Sequence, residues 1–218
     1  MTEEEWLTSA DMESMLNCLV TVRFPKVEPC NWHEGERKKR LFVAGCLRRV
    51  AALLPAEYRA LTELIELHAD GLVDVTTRRK VVSAAERVEW DHNNLLFAIN
   101  YDDIGLFCHH AASIATEAIP GGGDNTRNAE SLKHAALLRE IFGNPFRPVG
   151  FDPAWRTSDA MALATGIYDG RAFDRMPILA DALQEAGCDN DDLLRHCRDP
   201  DASHVRGCWA LDLVLGKE

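Results

Sequence analysis

The chain has 218 residues, 46% hydrophobic and 27% charged, which is the composition of an ordinary globular protein with room for a sizeable core. Its formal net charge of −11 argues against general binding to nucleic acid or acidic membranes, because phosphate recognition needs a basic surface. No apolar run approaches the roughly 18 residues of a membrane span. Met1-Thr2-Glu3-Glu4-Glu5 is acidic where a signal peptide is basic. With that start, the odd number of scattered cysteines, seven, reads as reduced thiols in the cytoplasm.

In chain order, Thr2 and Glu5 have the spacing of a capping box for a short helix carrying Trp6 and Leu7. A second helix starting near Ser9 or Asp11 turns Met12, Met15 and Leu19 inward. Thr21 to Gly35 contains Pro25 and Pro29 and reads as a loop; its Cys30 and His33 lack a second ligand pair nearby. A helix from Glu36 to Leu54 buries Phe42, Cys46, Val50 and Leu53. Its basic residues, Arg37 to Arg40 with Arg48 and Arg49, read as a charged start and outer face served by counter-charges elsewhere, in preference to an anion site. Pro55 opens the next helix, with Leu61, Leu64, Ile65 and His68 on one face, and Gly71 closes it. Thr76 or Thr77 caps a helix to about Trp90. Residues 91–119 read as helical with a break near Tyr101-Asp102-Asp103.

Pro120-Gly121-Gly122-Gly123-Asp124-Asn125 predicts a flexible connection, so the chain is expected to divide into a helical part at 1–119, a link at 120–127 and a helical part at 128–218, packed as one unit. The link lacks the Lys-Ser/Thr pair of a phosphate loop. The helix after it ends in Leu137, Leu138, Ile141 and Phe142, followed by Gly143 and Asn144, the residues that best accept a left-handed cap. Pro145 and Pro148 stiffen the loop that follows, and Phe146 and Trp155 are expected to be buried by it. Thr157, Ser158 or Asp159 caps a helix carrying Ala160, Leu163, Ala164 and Ile167, with Gly170 after it. Asp174 caps the next, with Pro177 in its first turn, Met176, Leu179, Ala180 and Leu183 on its face and Gly187 at its end. Asp189 caps a short helix through Cys197, and the last helix starts at His204. The fold class is therefore all-α: a compact multi-helix domain of short amphipathic helices.

Two constellations carry chemistry. Cys188, His196, Cys197, His204 and Cys208 supply zinc-ligand residue types, with His204 and Cys208 spaced i, i+4 on one helix face. Leu211 and Leu215 extend that face, and the spacing matches no paired-cysteine module, so these residues read as packing and capping groups. No residue is assigned to catalysis, cofactor binding or metal, and zinc is kept as the alternative. Cys108 with His109, His110, Asp102 and Asp103 supplies a thiol and a base, but helix neighbours point about 100° apart, and an acidic chain offers little to lower a thiol pKa.

From Arg139 onward, Arg139-Glu140-Ile141-Phe142-Gly143-Asn144-Pro145-Phe146-Arg147-Pro148, Asp152-Pro153-Ala154-Trp155 and His204-Val205-Arg206-Gly207-Cys208-Trp209 resemble a large uncharacterised family of planctomycete-type hypothetical proteins. The likeness extends to Met176–Leu183, Ala186-Gly187-Cys188 and His196-Cys197-Arg198, and to the stretches around Trp6 and Phe42. It implies no activity. The functional expectation is a non-catalytic protein-interaction or regulatory module whose partner is another protein, with a small zinc- or thiol-dependent enzyme as the alternative.

Overall fold

The computed structural model describes residues 1–21, 32–85, 87, 111–113, 115–119 and 124–217, and these contain helices and no strand. The all-α expectation holds. The chain forms two compact units, Met1–Leu138 and Arg139–Glu218, divided within a helix and not at the glycine-rich link.

The first unit opens with α1 (Glu3–Thr8), whose capping box is as expected: Glu5 N–H donates to Thr2 Oγ1 at 3.2 Å and Thr2 N–H to Glu5 Oε2 at 2.7 Å. Asp11 caps α2 (Met12–Thr21) by accepting from Ser14 N–H at 3.2 Å. Met15, Leu16 and Cys18 are buried, while Met12 and Leu19 are half-buried. The third helix, α3 (Trp32–Arg49), begins four residues earlier than expected and gives way to a 3-10 turn at Ala51–Leu53, so Leu53 is exposed. It packs on α4 (Ala56–Ala69), which packs in turn on α5 (Val75–Ala85). Asp74, not a threonine, caps α5: its carboxylate accepts from the N–H groups of Thr76 and Thr77 and from the Thr77 hydroxyl. Three arginines of the basic stretch of α3 meet acidic partners within the first unit. Arg37 pairs with Asp70 at 3.1 Å, Arg48 holds Glu66 through two bonds of 2.6 Å, and Arg49 reaches Glu130 at 3.1 Å. Cys30, Cys108 and most of 91–119 lie outside the described residues.

Residues 124–127, expected in the link, are the first turn of α6 (Asp124–Phe142). Its last turn belongs to the second unit and stops at Gly143, whose φ of +68° is the left-handed cap read from the sequence. Asn144 Oδ1 then accepts from Phe146 N–H at 3.0 Å. Phe146 and Trp155 are half-buried, not buried; Trp155 lies against the core with its edge to Phe151, ring centroids 5.3 Å apart.

Thr157 caps α7 (Ser158–Gly170). Gly170 stays helical and Arg171 takes the left-handed position, φ +52°. A 3-10 turn, Phe173–Arg175, absorbs Asp174 and leads into α8 (Met176–Glu185) with Pro177 in its first turn, so Asp174 does not cap it. Asn190, one residue beyond the expected Asp189, caps α9 (Asp191–Arg198) by accepting from Leu193 N–H at 2.9 Å. The last helix, α10 (Trp209–Leu215), starts five residues later than expected, because Gly207 turns the chain at φ +88°. Ala164, Ile167, Leu179, Leu183, Leu193 and Leu211 lie at the centre of this unit's core.

Candidate functional site

Within the second unit, three segments bring four donor side chains together. The last turn of α6 points Glu140 and Ile141 inward, and the reversal at Gly143 keeps the helix from running past them. The last turn of α9 carries His196. The segment between α9 and α10 has no regular structure until Gly207, after which the Cys208 N–H donates back to Val205 at 3.0 Å. That turn presents His204 and Cys208 to the same point, with Cys208 as the N-cap residue of α10.

Glu140 Oε1 lies 3.0 Å from His204 Nδ1 and its Oε2 lies 3.4 Å from His196 Nε2. Cys208 Sγ is 3.3 Å from His196 Nε2 and 3.8 Å from His204 Nδ1. One donor atom from each residue falls within 4.8 Å of every other. The side chains of His196, His204 and Glu140 are 17%, 5% and 7% exposed, and Cys208 is fully buried. Trp209 closes one side: its ring lies 4.8 Å from that of His196 and packs on Gly143, where an added Cβ would meet Trp209 Cγ at 3.2 Å.

Burial pushes the Glu140 carboxyl up, but hydrogen bonds and charge from His196 and His204 outweigh it, and the group stands below its ordinary value. Burial, reinforced by the Glu140 carboxylate, raises the Cys208 thiol well above the usual range. Cys197 is pushed up to about 12, first by burial and then by Glu140 and Cys188. Both shifts favour the protonated thiol in the absence of a cation, the opposite of what a nucleophile requires.

Of the five residues singled out from the sequence, His196, His204 and Cys208 come together. Cys188 and Cys197 are not among the converging donors; both are buried in this unit's apolar core, Cys197 near enough to Glu140 to feel its charge. His204 and Cys208 do face one another, although through a turn and not along a helix. Glu140 was missed: it lies 64 residues before His204, and nothing local distinguishes it from any helix glutamate. Glu140, His196, His204 and Cys208 are the described side chains able to hold a metal ion together. The chain matches no protein-family model, no curated protein and no solved structure.

Proposed function

We propose that this chain is a non-catalytic α-helical module that works by binding another protein in the cytoplasm. The observation that carries the non-catalytic half is the closure of the Glu140–His196–His204–Cys208 cluster. Its acid is held between two imidazoles, its thiol is fully buried, and Trp209 covers one side. A substrate-processing site needs a reactive group offered to a cleft; here the groups are spent on one another, between the end of α6 and the start of α10. This supports reading the cluster as a structural centre; the Cys108 candidate for a thiol enzyme lies outside the described residues.

The partner half rests on what the helices provide. Grooves between short amphipathic helices are a usual place for a partner segment to dock, and the net charge of −11 favours a protein partner over nucleic acid. No helix among the described residues is long and apolar enough to cross a membrane. Free cysteines at Cys18, Cys46, Cys188, Cys197 and Cys208 fit a reducing compartment. Kinship with planctomycete-type hypothetical proteins, proposed on the Ile141–Val149 and His204–Trp209 motifs, adds no activity to this reading.

The test is recovery of the tagged full chain from its own cells. A partner that stays at fixed stoichiometry through a second column, and re-forms the complex from purified components, supports the proposal. Turnover by the purified chain that His196→Ala abolishes without loss of helical signal would overturn it.

A further inference from the structure

We propose that Glu140, His196, His204 and Cys208 form a closed, four-ligand zinc site. This goes beyond the functional reading and stands independently of it.

The first argument is hydrogen-bond capacity. His196 Nε2 and His204 Nδ1 each face two groups at once, a Glu140 oxygen and Cys208 Sγ. An imidazole nitrogen carries either one in-plane hydrogen or one in-plane lone pair, so each makes a single hydrogen bond. Two nitrogens therefore fully serve two of the four contacts, whatever the tautomers. The other two contacts are left with a shared, weaker N–H at best, and with lone pair against lone pair otherwise. A cation between them removes the conflict, because it takes one lone pair from each donor and asks for no hydrogen.

The second argument is distance. Zinc bonds nitrogen and oxygen at about 2.0–2.2 Å and sulfur at about 2.3 Å, so the edges of a tetrahedral site are about 3.3–3.6 Å. The two sulfur–nitrogen contacts, 3.3 and 3.8 Å, bracket that range. Each carboxylate oxygen lies 3.0 or 3.4 Å from one imidazole nitrogen, and one donor atom per residue falls within 4.8 Å of every other.

Charge and ligand type make the third argument. Glu140 is buried with imidazoles as its partners, and no arginine or lysine among the described residues pairs with it. Buried carboxylates are paired or bind metal. With Cys208 as thiolate, the donor set carries two negative charges, which a divalent ion neutralises. A bound cation also removes the thiol proton that burial otherwise retains. One sulfur and two imidazoles select a borderline-soft ion and disfavour calcium and magnesium, which take oxygen. Four protein donors leave no open position, which is the pattern of a structural site.

The experiment uses the full chain, purified under reducing conditions without added metal. Elemental analysis should find one zinc per chain. Exchange with cobalt(II) should give the visible bands of a tetrahedral centre and a thiolate-to-cobalt charge-transfer band. Cys208→Ser should lose that band, while Cys188→Ser and Cys197→Ser keep it. Glu140→Gln, which preserves shape and should keep the helical signal, covers the case in which Cys208→Ser does not fold; its zinc content should fall several-fold. Stoichiometric calcium or magnesium should not displace the ion. A folded chain that takes up neither zinc nor cobalt overturns the proposal. So does a charge-transfer band that survives Cys208→Ser or depends on Cys197, or undiminished zinc in a folded Glu140→Gln.

Discussion

Replacing Gly143 by alanine tests how the end of α6 is fixed in the second unit. Two costs add. The left-handed backbone, φ +68°, costs an alanine roughly 1–2 kcal/mol, partly offset by roughly 0.4–1 kcal/mol from the stiffer unfolded chain. The new Cβ would also lie 3.2 Å from Trp209 Cγ and 3.4 Å from Cδ2, so the indole must shift. Overpacking of that kind costs roughly 1–2 kcal/mol. The sum is roughly 2–3 kcal/mol, or about 5–10 °C in melting temperature at this chain length. Gly216→Ala separates the two costs. It sits in the same unit at φ +66°, and its nearest neighbour is the movable Arg156 guanidinium at 3.4 Å, so it carries the backbone cost alone. Urea unfolding followed by far-UV circular dichroism should rank Gly143→Ala well below Gly216→Ala. Equal losses from the two variants would show that Trp209 is not held against Gly143.

Three further outcomes follow from the geometry. Arg48→Met leaves Glu66, 3% exposed, without its two bonds of 2.6 Å, and should cost about 3 kcal/mol, tempered by the one-third exposure of the arginine; adding Glu66→Gln should recover most of it in a double-mutant cycle. His134 is held neutral, its pKa lowered to about 4 by burial and by Arg49 and Lys133 against the opposing pull of Glu130; the unfolded chain binds its proton near 6.5, so the contribution is complete above that pH and is lost as pH falls toward 4, by roughly 3 kcal/mol. His134→Leu should flatten that part of the stability–pH curve, and an unchanged slope would refute the assignment. Asn190→Ala removes the cap of α9 and should cost about 1 kcal/mol in the same unfolding assay, against little change for Asp189→Ala.

What the sequence disclosed was local. Thr2 with Glu5, Gly71, Gly143 and Gly187 are decided by neighbours within a few positions, and the structure uses each as read. Errors of one or two residues arose where several residues of capping type lie within a few positions. Asn190 caps in place of Asp189, and Asp74 in place of Thr76, because the choice depends on which side chain faces the first N–H groups. His204 was placed on a helix because its spacing to Cys208 is helical; one glycine at φ +88° gives the same juxtaposition without a helix. Phe146 and Trp155 were expected inside because aromatics usually are, yet both are half-buried, Trp155 lying against the edge of the core. Glu140 could not be read at all, since its meaning comes from residues more than fifty positions away. Cys188 and Cys197 look like ligands in the sequence and are core thiols in the fold.

The position of α10 shows why the cluster matters to the unit that holds it. A helix of seven residues is marginal alone, since nucleation is unfavourable and few hydrogen bonds follow. Its location must come from contacts at its ends and along its buried face. At its C-terminal end, Arg156 donates to the carbonyls of Leu213 and Val214 at 2.8 and 3.0 Å, serving the open acceptors that a helix end leaves. Along its length, Leu211 and Val214 enter the core with Ile167 and Leu183. At its N-terminal end no side chain caps it. Cys208 stands there instead, tied through His196 and His204 to Glu140, while Trp209 rests on Gly143. The start of α10 is thus fixed to the end of α6 by the same four side chains whose donors converge. Weakening the cluster should free that end first, so loss of hydrogen-exchange protection at Asp212 to Val214, whose N–H groups bond back to the start of α10, should precede loss at Leu179 to Leu183.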